Sequence, residues 1–134
     1  TALQVADLLA AQGIGATVVD PRWVVPVPKS VVEMSAQHRL VVTIEDGIKV
    51  GGIGTRVRQD LRDAQIDTAL TEIGLPDEFI DHATRNQILE DAGLTAQAIA
   101  RNIVAQVVGS RVPHARSVDE SSSSAAATNP SSIS

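Results

Sequence analysis

The chain has 134 residues, of which 43% are apolar, and a formal net charge of −5. This length suits one domain with one core, and the acidic balance excludes a broad basic face for nucleic acid. The absence of cysteine excludes disulfides, thiolate metal sites and a cysteine nucleophile, and is compatible with the cytoplasm, where we place the protein. No apolar run approaches the roughly 20 residues of a membrane-spanning helix, so we expect no membrane partner.

Residues 2–12 have the apolar spacing of a helix, which Gly13 would end in the left-handed conformation. The chain lacks an initiator Met and opens inside this pattern, so we interpret it as a fragment of a longer protein. We expect a further strand just before Thr1. Residues 16–19 are short, apolar and β-branched, which predicts a buried strand that Asp20 and Pro21 end.

The middle of the chain alternates helices with strands. Ser30 and Glu33 match a capping box and predict a short helix to about residue 37. Residues 40–44 predict the clearest strand. The next helix runs to about residue 64 and has one apolar stripe, formed by Ile53, Val57 and Leu61.

The last third predicts a strand over residues 68–73 and two helices. Thr84 and Gln87 form a second capping box, and Thr95 can cap the final helix. That helix would bury Ile99, Ile103 and Val107. From residue 109 the pattern fails and the Ser/Ala-rich sequence that follows predicts disorder, so we expect a domain over residues 1–108 and a disordered tail over residues 109–134.

Strands that alternate with helices predict an α/β fold whose parallel or mostly parallel sheet carries helices on both faces. The glycines Gly51, Gly52 and Gly54 lie between a strand and a helix, where amide groups can bind an anion. They fit neither a dinucleotide fingerprint, whose third glycine would replace Val57, nor a P-loop. The favoured interpretation is a tight turn with close helix–sheet packing.

Four other residues carry candidate chemistry. Glu45 and Asp46 follow a strand and are suited to acid–base work, to capping a loop or to meeting a partner's arginine; the structural or interface role is favoured. Arg22 can bind phosphate or carboxylate, or pair with a neighbouring domain. His82 is more typical of a surface or interface than of a catalyst. The spacing of the histidines predicts no metal site.

Three segments together resemble 1-deoxy-D-xylulose-5-phosphate synthases. They are the strand and Asp-Pro-Arg-Trp turn of residues 18–24, the His-to-Gly stretch of residues 38–47 with its glycine-rich turn, and the Gly-Leu-Pro-Asp segment of residues 74–80, with His82 matching the family's histidine. The resemblance covers about residues 2–108. The middle segment is shared with other transketolase-type C-terminal domains. The Gly-Leu-Pro-Asp segment narrows the match to the synthases.

The resemblance implies a three-layer α/β/α domain with a mixed sheet of about five strands. It implies a homodimeric parent enzyme that uses thiamine diphosphate and Mg²⁺ to condense pyruvate with D-glyceraldehyde 3-phosphate, for isoprenoid and thiamine synthesis. In that family the cofactor binds an earlier domain, so we expect no catalytic or cofactor-binding residue in this chain. Arg22, Glu45 and the glycine-rich turn are the candidates for contacts with the other domains.

Two alternatives remain open. The chain is also compatible with the C-terminal domain of a 2-oxoacid dehydrogenase β subunit, although the Gly-Leu-Pro-Asp segment argues against it. A free-standing module is the other alternative, in which the glycine-rich turn binds an anionic ligand.

Overall fold

A computed structural model describes residues 1–77 and 84–109 of the chain. Within these residues the elements are α1 (Ala2–Ala10), α2 (Lys29–Ser35), β1 (Leu40–Ile48), α3 (Ile53–Asp63), β2 (Ala69–Leu75), α4 (Arg85–Asp91) and α5 (Ala96–Gly109).

The sheet of the described residues is formed by β1 and β2, which are parallel. Leu40 pairs with Ala69 and Ile44 with Ile73, and the register shifts between Ile44 and Ile48. Helix α3 connects the two strands, as parallel pairing requires a crossover. The α/β class and the parallel pairing predicted from the sequence are therefore confirmed, with one strand fewer than the three predicted.

Helices cover both faces of this sheet. On one face, α1 and α5 pack on alternate residues of β1; the buried side chains of this cluster are Val5, Leu9, Ile73, Ile99, Ala100 and Ile103. On the other face, α2 and α3 bury Val32, Val57 and Leu61 against Val41 and Leu70. Because the two sets alternate along the strands, the molecule has the three layers that the sequence predicts.

Three predicted helix ends are confirmed. Gly13 has a φ of 73°, and the Ile14 N–H donates to the Leu9 carbonyl across it at 3.0 Å, which closes α1. Thr84 and Gln87 form the predicted capping box of α4. The Thr95 hydroxyl accepts from the Ala98 N–H at 3.3 Å, which caps α5.

The capping box predicted at Ser30 is wrong. Helix α2 begins at Lys29, its N-cap is Pro28, and no side chain caps it. Proline fixes its own φ near the value the chain needs on entering the helix, so the start moves upstream of the serine. Glu33 instead forms an exposed ion pair with Lys29, in which Glu33 Oε1 lies 3.4 Å from Lys29 Nζ.

Residues 16–19 do not form the buried strand that the sequence predicts. All four are exposed, and within the described part of the chain they pair with no strand. Two other predictions, His82 and the tail apart from Gly109, fall on residues outside the described ranges. In those ranges, no helix is both long enough and apolar enough to cross a bilayer.

Two leucines of α1 provide a matched test of this packing. Leu9 is 4% exposed and Leu3 is 70% exposed. We expect Leu9→Ala to lower the free energy of unfolding by about 2–4 kcal/mol, because it leaves a cavity in the core. Leu3→Ala should cost less than about 0.5 kcal/mol, since its side chain is already in water. Urea unfolding followed by circular dichroism measures both, and equal losses would contradict the placement of α1.

Candidate functional site

The carboxylate of Glu45, in the second half of β1, caps α3. Helix α3 starts at Ile53 after Gly52, which has no side chain to accept from the first N–H groups of the helix. Glu45 Oε2 accepts from the Ile53 N–H at 2.9 Å, and Oε1 from the Gly54 N–H at 3.5 Å. The negative charge also lies at the positive end of the helix dipole. The anion at this helix start is therefore a side chain of the protein itself.

The glycine-rich turn leaves room for that carboxylate. A Cβ atom on Gly52 would lie 2.3 Å from Glu45 Oε2, and one on Gly54 would lie 2.6 Å from Thr43 Oγ1. Gly51 has a φ of 75°, in the region that favours glycine. The turn thus brings α3 close to the sheet, which is the favoured interpretation from the sequence.

A second carboxylate on the same face of the sheet has an arginine partner. Arg58 Nε donates to Glu72 Oε1 at 2.9 Å, joining α3 to β2, and the Glu72 side chain is 18% exposed. This pair was not predicted from the sequence. A glutamate in the middle of an apolar strand was the available signal, because a half-buried charge needs a partner.

Arg22 lies apart from these groups, on the turn after residues 16–19. Its φ is 51°, and its N–H donates to Asp20 Oδ1 at 3.2 Å. The side chain is exposed and forms no ion pair with any residue in the described ranges. A guanidinium in this state is suited to a partner outside this domain.

Large exposed apolar residues flank Arg22 along the chain. We call them the apolar strip: Val18, Val19, Trp23, Val24 and Val25, which are 39%, 41%, 77%, 46% and 63% exposed. Two neighbouring runs of exposed apolar residues of this size, on either side of one turn, are typical of an interaction surface.

The structure thus groups Glu45, Gly51, Gly52 and Gly54 at one helix start and places Arg22 on a different turn. Across residues 1–77 and 84–109, no three His, Asp or Glu side chains are arranged to hold a metal ion. The two carboxylates that face α3 are both held by donors of that helix. What this geometry can do is fix a helix to a sheet and offer an apolar surface to a partner.

Comparisons with known proteins agree with this architecture. The model of the family "Transketolase, C-terminal domain" matches residues 1–99. The chain is 77% identical over 114 residues to a 1-deoxy-D-xylulose-5-phosphate synthase from Leifsonia xyli, and 74% identical over 118 residues to one from Clavibacter sepedonicus. These matches cover 85% and 88% of this chain. A Kitasatospora griseola protein named 1-deoxy-D-xylulose-5-phosphate synthase 2 is 55% identical over 107 residues, which are 80% of this chain.

The chain spans only a part of these relatives: 18%, 18% and 17% of their respective lengths. Among solved structures, it is similar to a protein described as "Split gene transketolase, inactive beta4 tetramer", with a TM-score of 0.71 and 30% identity. That likeness covers 80% of this chain and 35% of the other.

Substitutions at Glu45 and Gly52 test the helix cap. Glu45→Ala should lower the free energy of unfolding by about 1–2 kcal/mol, since two N–H groups lose their acceptor. Gly52→Ala should cost a similar amount, because the new Cβ displaces the carboxylate. In the Glu45→Ala variant, which lacks this carboxylate, adding Gly52→Ala should cost less than about 0.5 kcal/mol. A double-mutant cycle measures this coupling between the two residues.

Two exposed positions serve as controls for this cycle. Gly15→Ala meets no atom within 4 Å, and Glu33→Ala removes an ion pair in water, so each should change stability by less than about 0.5 kcal/mol. Additive losses for Glu45→Ala and Gly52→Ala would show that the two residues do not share one interaction.

Proposed function

Because the chain belongs to the transketolase C-terminal domain family, we propose that it is the non-catalytic C-terminal domain of a 1-deoxy-D-xylulose-5-phosphate synthase. The observation that carries this proposal is the 77% identity, over 85% of the chain, to a relative of that name. The three synthases compared above also favour it over a 2-oxoacid dehydrogenase β subunit.

The parent enzyme would condense pyruvate with D-glyceraldehyde 3-phosphate, release CO2 and form 1-deoxy-D-xylulose 5-phosphate, a precursor for isoprenoid and thiamine synthesis. Thiamine diphosphate with Mg²⁺ would supply the electron sink for this carbon chemistry, and the protein would bind and orient the reactants. The parent would work in the cytoplasm.

The described residues of this chain do not fit that cofactor. A diphosphate group needs donors and cations, but the N-terminal amides of α3 already donate to the Glu45 carboxylate. An external anion would have to displace this carboxylate and then sit beside its charge. The same argument weakens the alternative of a free-standing anion-binding module.

The role of the domain in the parent would be packing against other domains and forming the homodimer interface. The apolar strip and Arg22 are the surface proposed for these contacts, because they combine exposed hydrophobic area with a guanidinium that forms no ion pair within the described residues. The folded domain would span residues 1–108, supported by the packing of α5 against α1 along the core.

Enzyme assays on the full-length parent and on this chain test the proposal. The parent should release CO2 from pyruvate only with D-glyceraldehyde 3-phosphate, thiamine diphosphate and Mg²⁺ present, whereas the chain alone should show no turnover. Calorimetric titration of the chain with thiamine diphosphate and Mg²⁺ should give no binding heat. Oxidation of a 2-oxoacid by the parent would point to the dehydrogenase, and saturable binding by the chain would place a cofactor site within it.

A surface substitution separates the docking role from a role in folding. Trp23→Ser should change the stability of the isolated chain by less than about 0.5 kcal/mol, since the indole is in water. In the full-length parent it should lower the melting temperature and raise the dimer dissociation constant about tenfold or more. Val50→Ser is the matched control, because Val50 is 74% exposed but lies outside the apolar strip. Equal effects of the two changes on the parent would reject the strip as its interface.

A further inference from the structure

One edge of β2 faces away from β1. The Lys49 N–H donates to the Leu75 carbonyl at 3.1 Å, so the backbone groups of Leu75 face β1. Successive residues of a strand in a parallel sheet turn their backbone groups to opposite sides, so those of Leu70, Glu72 and Gly74 face away from β1. We call these groups the outer edge. In the part of the chain that the structure describes, no strand pairs with the outer edge.

The space beside the start of the outer edge is open. A cavity of about 300 Å³ lies there, with apolar walls formed by Leu61, Ile66 and Leu70. Arg58 and Arg62, from successive turns of α3, line the same cavity. Backbone N–H and C=O groups that lack a ladder, next to apolar surface, are a template on which a strand of another molecule can add.

The sequence of β2 favours pairing with a copy of itself. Ala69–Leu75 contains one charged residue, Glu72, and no proline. Short segments with β-branched residues and little charge add readily to one another. Two copies of the same edge also form a closed, two-fold contact that needs no other partner. The strand that this edge has to exclude is therefore β2 of a second copy of this chain.

Arg58 and Glu72 together cover the outer edge. The Glu72 side chain is mostly buried under α3, and Arg58 Nε donates to it at 2.9 Å. Arg58 Nη2 donates to the Leu70 carbonyl at 3.3 Å, which is an acceptor of the outer edge. An added strand would have to take this carbonyl from Arg58 and remove water from a half-exposed guanidinium. Inward-pointing charges on edge strands are a known protection against such addition.

We propose that the ion pair of Arg58 and Glu72 closes the outer edge of β2 to a second copy of this chain. Arg58 occupies the carbonyl that an incoming N–H group needs, and Glu72 holds the guanidinium in that position. The inference goes beyond the proposed function, because this surface is separate from the apolar strip and its test reads no catalytic activity.

Sedimentation equilibrium on matched variants tests the inference. Glu72→Gln is the reference, because its amide oxygen still accepts from Arg58 while no unpaired carboxylate keeps copies apart. Adding Arg58→Met to this reference frees the Leu70 carbonyl and should strengthen self-association about tenfold or more. Adding Arg62→Met instead removes the same charge from the next turn of α3 and should leave self-association unchanged.

Residue-resolved amide exchange shows where the copies meet. In the native chain, the amides of the outer edge should exchange faster than those of Thr71 and Ile73, which face β1. In the variant with Arg58→Met, their protection should rise with protein concentration. Amides of α5 should be protected in every variant, which shows that each is folded. If the variant with Arg58→Met does not fold, Arg58→Lys takes its place, because one ammonium lacks the fork that holds both acceptors.

Three results would overturn the inference. The first is equal self-association of the variants with Arg58→Met and Arg62→Met. The second is stronger association that leaves the amides of the outer edge unprotected, which would assign the contact to another surface such as the apolar strip. The third is exchange at the outer edge of the dilute native chain as slow as at Thr71 and Ile73, which would mean that another segment of the chain already pairs with this edge.

Discussion

The capping of α3 by Glu45 is the interaction on which the arrangement of this sheet depends. The acceptor stands on β1 and the donors stand on the helix that leads to β2. One carboxylate therefore fixes the crossover connection at its start, while Arg58 and Glu72 fix the same helix to β2 about one turn later. Gly52 and Gly54 are required because each lacks a Cβ that would collide with polar side chains of the sheet, Glu45 for Gly52, and Thr43 and Glu72 for Gly54.

The cap formed by Glu45 explains why the glycine-rich turn has a structural role although its sequence resembles that of a functional site. A glycine-rich loop after a strand, a helix N-terminus and two acidic residues are also the parts of an anion or acid–base site. Here the Glu45 carboxylate occupies the position that a bound anion would take, so the amide groups at the start of α3 already have a hydrogen-bond acceptor. The surface that remains for function is apolar and faces outward, in agreement with a domain that acts by contact.

The sequence predicted those features that local spacing determines. The helical stripe of Val57 and Leu61, the cap at Thr84 and the left-handed end at Gly13 each depend on neighbours within one or two turns. The prediction was wrong at Ser30, where Pro28 took the helix start. Glu72 was missed because its partner lies 14 residues away along the chain, and only packing brings the two together. Residues 16–19 have the composition of a strand, but composition cannot supply the neighbour that a strand needs.

The exposure of Trp23 determines what tryptophan fluorescence can report about this protein. It is the sole tryptophan, the chain has no tyrosine, and its indole stands in water on the apolar strip rather than in the aliphatic core. Its fluorescence therefore changes little when the core melts, since the indole is hydrated both before and after unfolding. The same emission would shift if a partner covered the apolar strip and excluded water from the ring. The fluorescence of Trp23 would therefore report contact at the apolar strip and would report little of the unfolding of the core.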